Sequence, residues 1–171
     1  MNDNDHSSLT EGINRKPSAA ADAPGVLVFP PLAYLGTLVL ALVLHWFWPR
    51  HLPLAPWMRI GGGGLILCGG LLALWGRNTM VRAGTNVIPT RPTLAIVTAG
   101  PFRFTRNPLY VGNLVVYVGL TLSINSLWLL LLLIPMLAIL RWGIIAREER
   151  YLETKFGDDY LAYKTRVRRW L

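Results

Sequence analysis

Acidic residues are missing from most of this chain. It has nine Asp and Glu against seventeen Lys and Arg, and none of the nine falls between Ala23 and Arg147. A water-exposed surface of that length would carry carboxylates, whereas a chain threaded through hydrocarbon excludes them. Cysteine is scarce too: Cys68 is alone, so no intrachain disulfide can form. His6, His45 and His51 are scattered and have no cysteine cluster beside them, which leaves no metal-ligand spacing. The glycine row Gly61–Gly64 is not a phosphate loop, because no Lys-Ser/Thr follows it and no strand precedes it. The formal charge of +8 is gathered between apolar runs and at the ends. That layout belongs to membrane topology and anionic-lipid contact rather than to nucleic-acid binding.

What is present is a series of Leu-rich runs. Residues 1–24 are polar, rich in Ser, Asn, Asp and Ala, and read as a disordered tail. They are not a signal peptide, since no charged start leads into an apolar core with a cleavage site. Residues 25–171 form one domain. The first span is expected over 31–48, where eighteen residues rise about 27 Å, enough to cross a bilayer. Trp46, Phe47 and Trp48 would belt its interfacial end. The Pro-rich turn 49–56 leads to a second span over 57–75, whose glycines Gly61–Gly64 and Gly69-Gly70 suit close helix packing. A polar linker over 77–107 holds Arg77, Arg82, Arg91, Arg103 and Arg106, broken by Pro89 and Pro92. Spans 108–122 and 127–146 form an antiparallel hairpin around residues 123–126, with Asn125 or Ser126 as cap and Pro135 as a kink. In the tail 147–171, Leu152, Phe156, Tyr160, Tyr163 and Val167 share one helical face, and Gly157 divides the helix. The expected fold is therefore an all-α integral membrane protein: four transmembrane helices, a hairpin of spans 3 and 4, and an amphipathic C-terminal helical tail. The basic linker and tail place both termini on the cytoplasmic side of a bacterial inner membrane.

One stretch departs from this apolar background: Gly100-Pro101-Phe102-Arg103-Phe104-Thr105-Arg106-Asn107-Pro108-Leu109-Tyr110-Val111-Gly112. Its prolines exclude a helix interior, and Pro108 suits the first position of a helix with Asn107 as N-cap. The free N–H groups of that turn, with Arg103 and Arg106 nearby, make an anion site. Tyr110, Asn113 and Tyr117 follow at i, i+3 and i+7, a polar face that either lines a cavity or bonds helices together. Glu148-Glu149 are the first acids after Asp22. They either meet a cation or pair with neighbours such as Arg150 and Lys155.

The stretch 100–112, the two apolar runs after it, Glu148-Glu149 and Phe156-Gly157-Asp158-Asp159-Tyr160-Leu161-Ala162-Tyr163 occur in one order over residues 84–169. Together they resemble the signature of the membrane methyltransferases that include isoprenylcysteine carboxyl methyltransferase and the phospholipid N-methyltransferases. That family carries Gly-aromatic-Arg-x-x-Arg-His-Pro-x-Tyr-x-Gly, a Glu-Glu pair and a Phe-Gly-acid-acid-Tyr tail. The resemblance implies S-adenosylmethionine as cofactor and a lipid or other amphiphilic acceptor, methylated on a carboxyl or an amine. It implies cofactor contacts at Leu94, Ala95, Ile96, Val97, Phe102, Asn107, Pro108, Leu109 and Tyr110, and at Glu148, which aligns with the family's cofactor-binding Glu. Arg106, Asn107 and Tyr110 become the catalytic candidates; Asn113, Tyr117, Arg141 and Arg147 become candidates for the substrate. No metal is implied, which suits methyl transfer, a displacement that needs alignment more than acid–base machinery.

Three departures stand out. Asn107 replaces the family His and cannot titrate near neutral pH. The substrate-contacting Arg of relatives, four residues before the Glu, is Ile144 here. The Val-Pro-x-x-x-Pro ending of many relatives is replaced by Arg166-Val167-Arg168-Arg169-Trp170-Leu171. Two other classes share some of these features: membrane reductases with a similar motif and a nicotinamide cofactor, and a non-catalytic membrane scaffold.

Overall fold

A computed structural model describes residues 24–170. The expected N-terminal tail, residues 1–24, lies outside the described residues apart from Pro24. The described residues are helical, with no sheet among them: α1 (Pro30–Phe47), α2 (Pro56–Arg82), a 3-10 turn (Gly100–Arg103), α3 (Pro108–Ile124), α4 (Leu127–Ala138), a widened π-helical segment (Ile139–Ile145) and α5 (Ala146–Arg166). Three helices are long and apolar enough to cross a membrane: α1, α2, and the continuous helix that begins at Leu127. Trp46 and Trp57 are 83% and 69% exposed, and Leu32, Leu67, Ile134 and Trp142 are also bare. Such a coat of large apolar side chains faces lipid, not water.

Helix starts follow the prolines. Pro30, Pro56 and Pro108 each open a helix, where the missing N–H is no loss. The second helix runs seven residues past the expected end at 75 and stops at Arg82, so the linker begins at Ala83. Nothing between Trp75 and Arg82 breaks a helix; Gly84, with φ +69°, is the first residue that does. Its 27 residues span about 40 Å, longer than the hydrocarbon, which carries Arg77 and Arg82 into the headgroup region.

The capping expectation at the 3–4 turn is corrected. Asn125 is the left-handed C-cap of α3 (φ 56°), and its Oδ1 accepts the Leu52 N–H at 3.1 Å instead of capping α4. Ser126 holds the N-cap position but makes no side-chain cap bond. The fourth span does not end in a separate surface helix. It continues through Ile139–Ile145 into α5, and the widened segment starts four residues after Pro135, which cannot donate to the preceding turn. Residues 127–145 alone rise about 28 Å, which fills a hydrocarbon core, so α5 lies beyond it.

The packing differs from a simple hairpin of spans 3 and 4. α3 lies chiefly along α2, and α4 chiefly along α1. The reason for the first pair is a ladder of glycines seven residues apart. A methyl added at Gly69 would stand 2.5 Å from the Gly112 carbonyl oxygen; one added at Gly62 would stand 2.6 Å from that of Gly119. At Gly76 the neighbours are the side chains of Leu109 and Pro108 rather than backbone. Backbones this close leave no room for a side chain. Gly61, Gly63, Gly64 and Gly70 face open space, so the glycine runs pack through one member each. The α1–α4 pair encloses the core, formed by Ala33, Ala41, Leu129, Met136, Leu140, Ile144 and Ile145 together with Tyr117.

The connections sort to two ends. At one end the 48–55 loop meets the start of α4 through Leu127 N–H to Arg50 O (2.9 Å) and Trp128 Nε1 to Trp48 O (2.7 Å). At the other end the linker 83–107 meets the tail.

Candidate functional site

The linker and the tail together wall a cavity of about 290 Å³ at the end of the helices where α3 begins. The linker is shaped by small polar bonds. Thr85 Oγ1 accepts the Leu94 N–H at 3.0 Å, Asn86 Nδ2 donates to Pro92 O at 2.8 Å, and the Tyr151 hydroxyl accepts the Thr93 N–H at 3.2 Å. This fold-back presents Ala95, Ile96 and Val97 to the cavity and turns Leu94 outward, 62% exposed. Leu94 is thus separated from its expected partners by its backbone direction.

The signature turn supplies more of the lining. Phe102, Arg106, Asn107, Pro108, Leu109, Tyr110 and Asn113 all line the cavity. Asn107 is the N-cap of α3 by position, yet its side chain makes no cap bond; its Nδ2 donates to Arg169 O at 2.9 Å. The amide is thereby a tie to the tail. Tyr163 fastens the same turn from the tail side, its hydroxyl donating to Phe102 O at 2.8 Å.

Glu148 closes the cavity from α5. The Tyr110 hydroxyl donates to its Oε1 at 2.6 Å. An ionised carboxylate has further lone pairs, so one Tyr leaves capacity for a cationic or N–H-bearing ligand. Burial pushes the Glu148 carboxyl up to about 7; the Tyr110 bond opposes that and the charge of Glu149 adds to it. Glu149 is 5% exposed and paired with Arg169 and Arg106. The surface pairing considered from sequence, with Arg150 or Lys155, is not what holds it: its partners come from the signature turn and from the end of the tail.

Three substrate candidates lie elsewhere. Tyr117 is 3% exposed and sits two turns deeper in the core, because i+7 from Tyr110 carries it about 10 Å along the helix. It does not line the cavity with Tyr110 and Asn113. Arg141 is exposed and stands 5.9 Å over the Trp142 ring. Arg147 donates to Gly25 O at 3.1 Å. Conversely, Met80, Leu152, Tyr160 and Tyr163 line the cavity and were not singled out as site residues. The shared face of Leu152, Tyr160 and Tyr163 was the available signal, read as amphipathicity without a destination.

The residues present fit S-adenosylmethionine in kind. A half-buried carboxylate with open lone pairs suits an ammonium or a ribose diol, and the apolar lining suits a base. Residues 57–159, more than half of the chain, match the phospholipid methyltransferase family. An uncharacterized protein of Haemophilus influenzae is 48% identical over 64 residues, 37% of this chain and the whole of that protein. No solved structure matches. The chain belongs to the phospholipid methyltransferase family and is a membrane methyltransferase that uses S-adenosylmethionine.

Proposed function

We propose that this enzyme methylates a lipid or comparable amphiphile at the cytoplasmic face of the membrane. The observation that carries the reading is the setting of the cavity: a largely apolar chamber with one Tyr-bonded carboxylate, at the end of the bundle where the basic linker and tail meet. A water-soluble acceptor would need no such location. The family match favours a phospholipid-type acceptor.

In this reading the protein crosses four times. α3 is the fourth crossing, 17 residues or about 25 Å, short but seated along the longer α2. Arg77, Arg82, Arg91, Arg103 and Arg106 on one side, against Arg50 and Arg59 on the other, put both termini in the cytoplasm.

The cofactor supplies an activated methyl on a sulfonium. Glu148 holds its cationic amino-acid end or its ribose diol, Tyr110 orients Glu148, and Ala95–Val97 with Phe102 bound the remainder. Asn107 acts by position, holding the turn, because its amide cannot take a proton near neutral pH. Asn113, one turn along α3 from Tyr110, is a further polar group of the lining that the acceptor can meet. Exclusion of water and alignment of donor with acceptor do the catalytic work.

The test is detergent-purified protein incubated with methyl-labelled cofactor and a total lipid extract. Label recovered in a phospholipid supports the reading. Cofactor binding without label in any lipid would reject the acceptor class.

A further inference from the structure

The end of the tail lies outside the residues that match the family, yet it reaches into the cavity wall. Val167 leaves the helix with extended backbone (φ −124°, ψ 131°). The next two carbonyls take three donors from the signature turn. Arg106 N–H bonds to Arg168 O at 3.0 Å, Thr105 Oγ1 to Arg169 O at 3.2 Å, and Asn107 Nδ2 to Arg169 O at 2.9 Å. Trp170 packs against the hydrophobic core and anchors the strap. The Arg169 side chain then forks onto Glu149, Nε to Oε1 at 3.0 Å and Nη2 to Oε2.

Glu149 also faces a second guanidinium, with Arg106 Nη1 3.3 Å from its Oε1. Two positive charges thus meet one negative charge, and the geometry is uneven. Arg169 makes the bidentate, charge-assisted bonds. Arg106 makes only the longer contact, and its Nε and Nη1 are buried without a hydrogen-bond partner among the described residues. Its side chain is 8% exposed and lines the cavity. The Tyr160 hydroxyl stands within hydrogen-bonding reach of the same guanidinium, so it takes part of its donor capacity. A buried guanidinium whose Nε is unbonded and whose Nη1 has only the long Glu149 contact is costly to leave that way. An anion entering the cavity satisfies it, and the amino end of α3 adds positive potential at the same wall.

We propose that Arg106 is an anion-binding residue of the cavity, kept available by Arg169, and that it takes a carboxylate or phosphate oxygen of a ligand. Arg169 is a positioning residue: it neutralises Glu149, so the trio keeps one net positive charge. Two ligands offer the right oxygen. One is the amino-acid carboxylate of S-adenosylmethionine, whose ammonium would then meet Glu148; this source rests on the cofactor reading above. The other is the phosphate of a lipid acceptor, which does not.

Calorimetric titration of the full chain in detergent distinguishes them. The ligands are S-adenosylmethionine, its decarboxylated analogue, and a short-chain phosphatidyl lipid. The proteins are wild type, Arg106→Gln, Arg169→Ala, Arg169→Lys and the double variant Arg169→Ala/Glu149→Gln. If the cofactor carboxylate is the anion, Arg106→Gln and Arg169→Ala weaken S-adenosylmethionine about 30-fold and leave the decarboxylated analogue unchanged. If it is the lipid phosphate, the loss falls on the lipid alone. In either case the double variant restores the positive charge and recovers most of the affinity, as does Arg169→Lys. A purely structural strap would make the double variant worse than the single one, and that result overturns the proposal. So does unaltered binding of all three ligands by Arg169→Ala, which remains informative even where Arg106→Gln does not fold. Wild type that binds neither cofactor form sinks the cofactor reading instead, and the lipid titration then decides the anion site.

Discussion

Glu148 is the residue on which the cofactor reading turns. Its half-buried carboxylate is held by the Tyr110 hydroxyl and lines the same cavity as Ala95, Ile96 and Val97. Glu148→Gln is expected to weaken S-adenosylmethionine binding about 30-fold by calorimetry, the low end for a truncated buried charge pair. Asp158→Asn and Asp159→Asn, exposed beyond the Gly157 kink, should leave binding near wild type. Equal small effects at all three would remove Glu148 from the site. Tyr110→Phe keeps the ring and loses the hydroxyl, so it should lower affinity several-fold while the helical circular dichroism stays unchanged. The pH dependence follows from the raised carboxyl, whose value stands near 7 instead of the usual 4.5. The cation is bound by the ionised form, so protons compete below pH 7. Affinity should fall about tenfold per unit from there down to pH 5.5 and be flat just above 7. Glu148→Gln should abolish that slope. For the ligand-free fold the sign is opposite: the folded state holds the proton more tightly. Its stability is therefore greatest below about 4.5 and declines as pH rises through 7.

At the scale of elements, the site depends on how α2 and α3 are held together. The glycine ladder brings the start of α3 against Gly76 of α2 and so fixes the height of Tyr110 against Glu148. Gly69→Ala or Gly112→Ala would drive a methyl into backbone at 2.5–2.6 Å. Each should cost about 1–3 kcal/mol in a reversible unfolding titration in mixed micelles. Gly63→Ala and Gly70→Ala face open space, and each should be neutral or stabilising by up to about 1 kcal/mol. If the two classes behave alike, the ladder does not set the packing. The helices themselves were legible in the sequence as Leu-rich runs, with Pro108 marking the start of α3; Pro30 and Pro56 open α1 and α2 one residue before the expected starts. The length of α2 and the unbroken passage from α4 to α5 were not. A polar helical turn and a wide turn after Pro135 leave no local signature of where the helix stops.

For the whole molecule, the four-crossing reading proposed above, with the loop clusters at two ends, makes a topology prediction. Reporter fusions after Trp48 and Asn125 should be active only outside the cytoplasm, and fusions after Ala99 and at Leu171 only inside. A tail reporter on the outer side would break this arrangement and move the cavity to the wrong face of the membrane.

The sequence by itself determined the membrane setting and the family, and it placed the helix starts to within a residue. Each of these is carried by residues close in the chain: an acid-free apolar run, a proline at a helix start, a thirteen-residue motif. Only the tertiary structure decided which polar residues meet. Tyr110 and Glu148 are 38 positions apart, and Arg169 lies 62 residues from the Asn107 it fastens. Tyr117 shares a helical face with Tyr110 but not its depth, so periodicity placed it correctly around the axis and wrongly along it. Local patterns fix direction about a helix; where that direction ends, in a cavity or in a core, is set by the partner element that arrives from elsewhere in the chain.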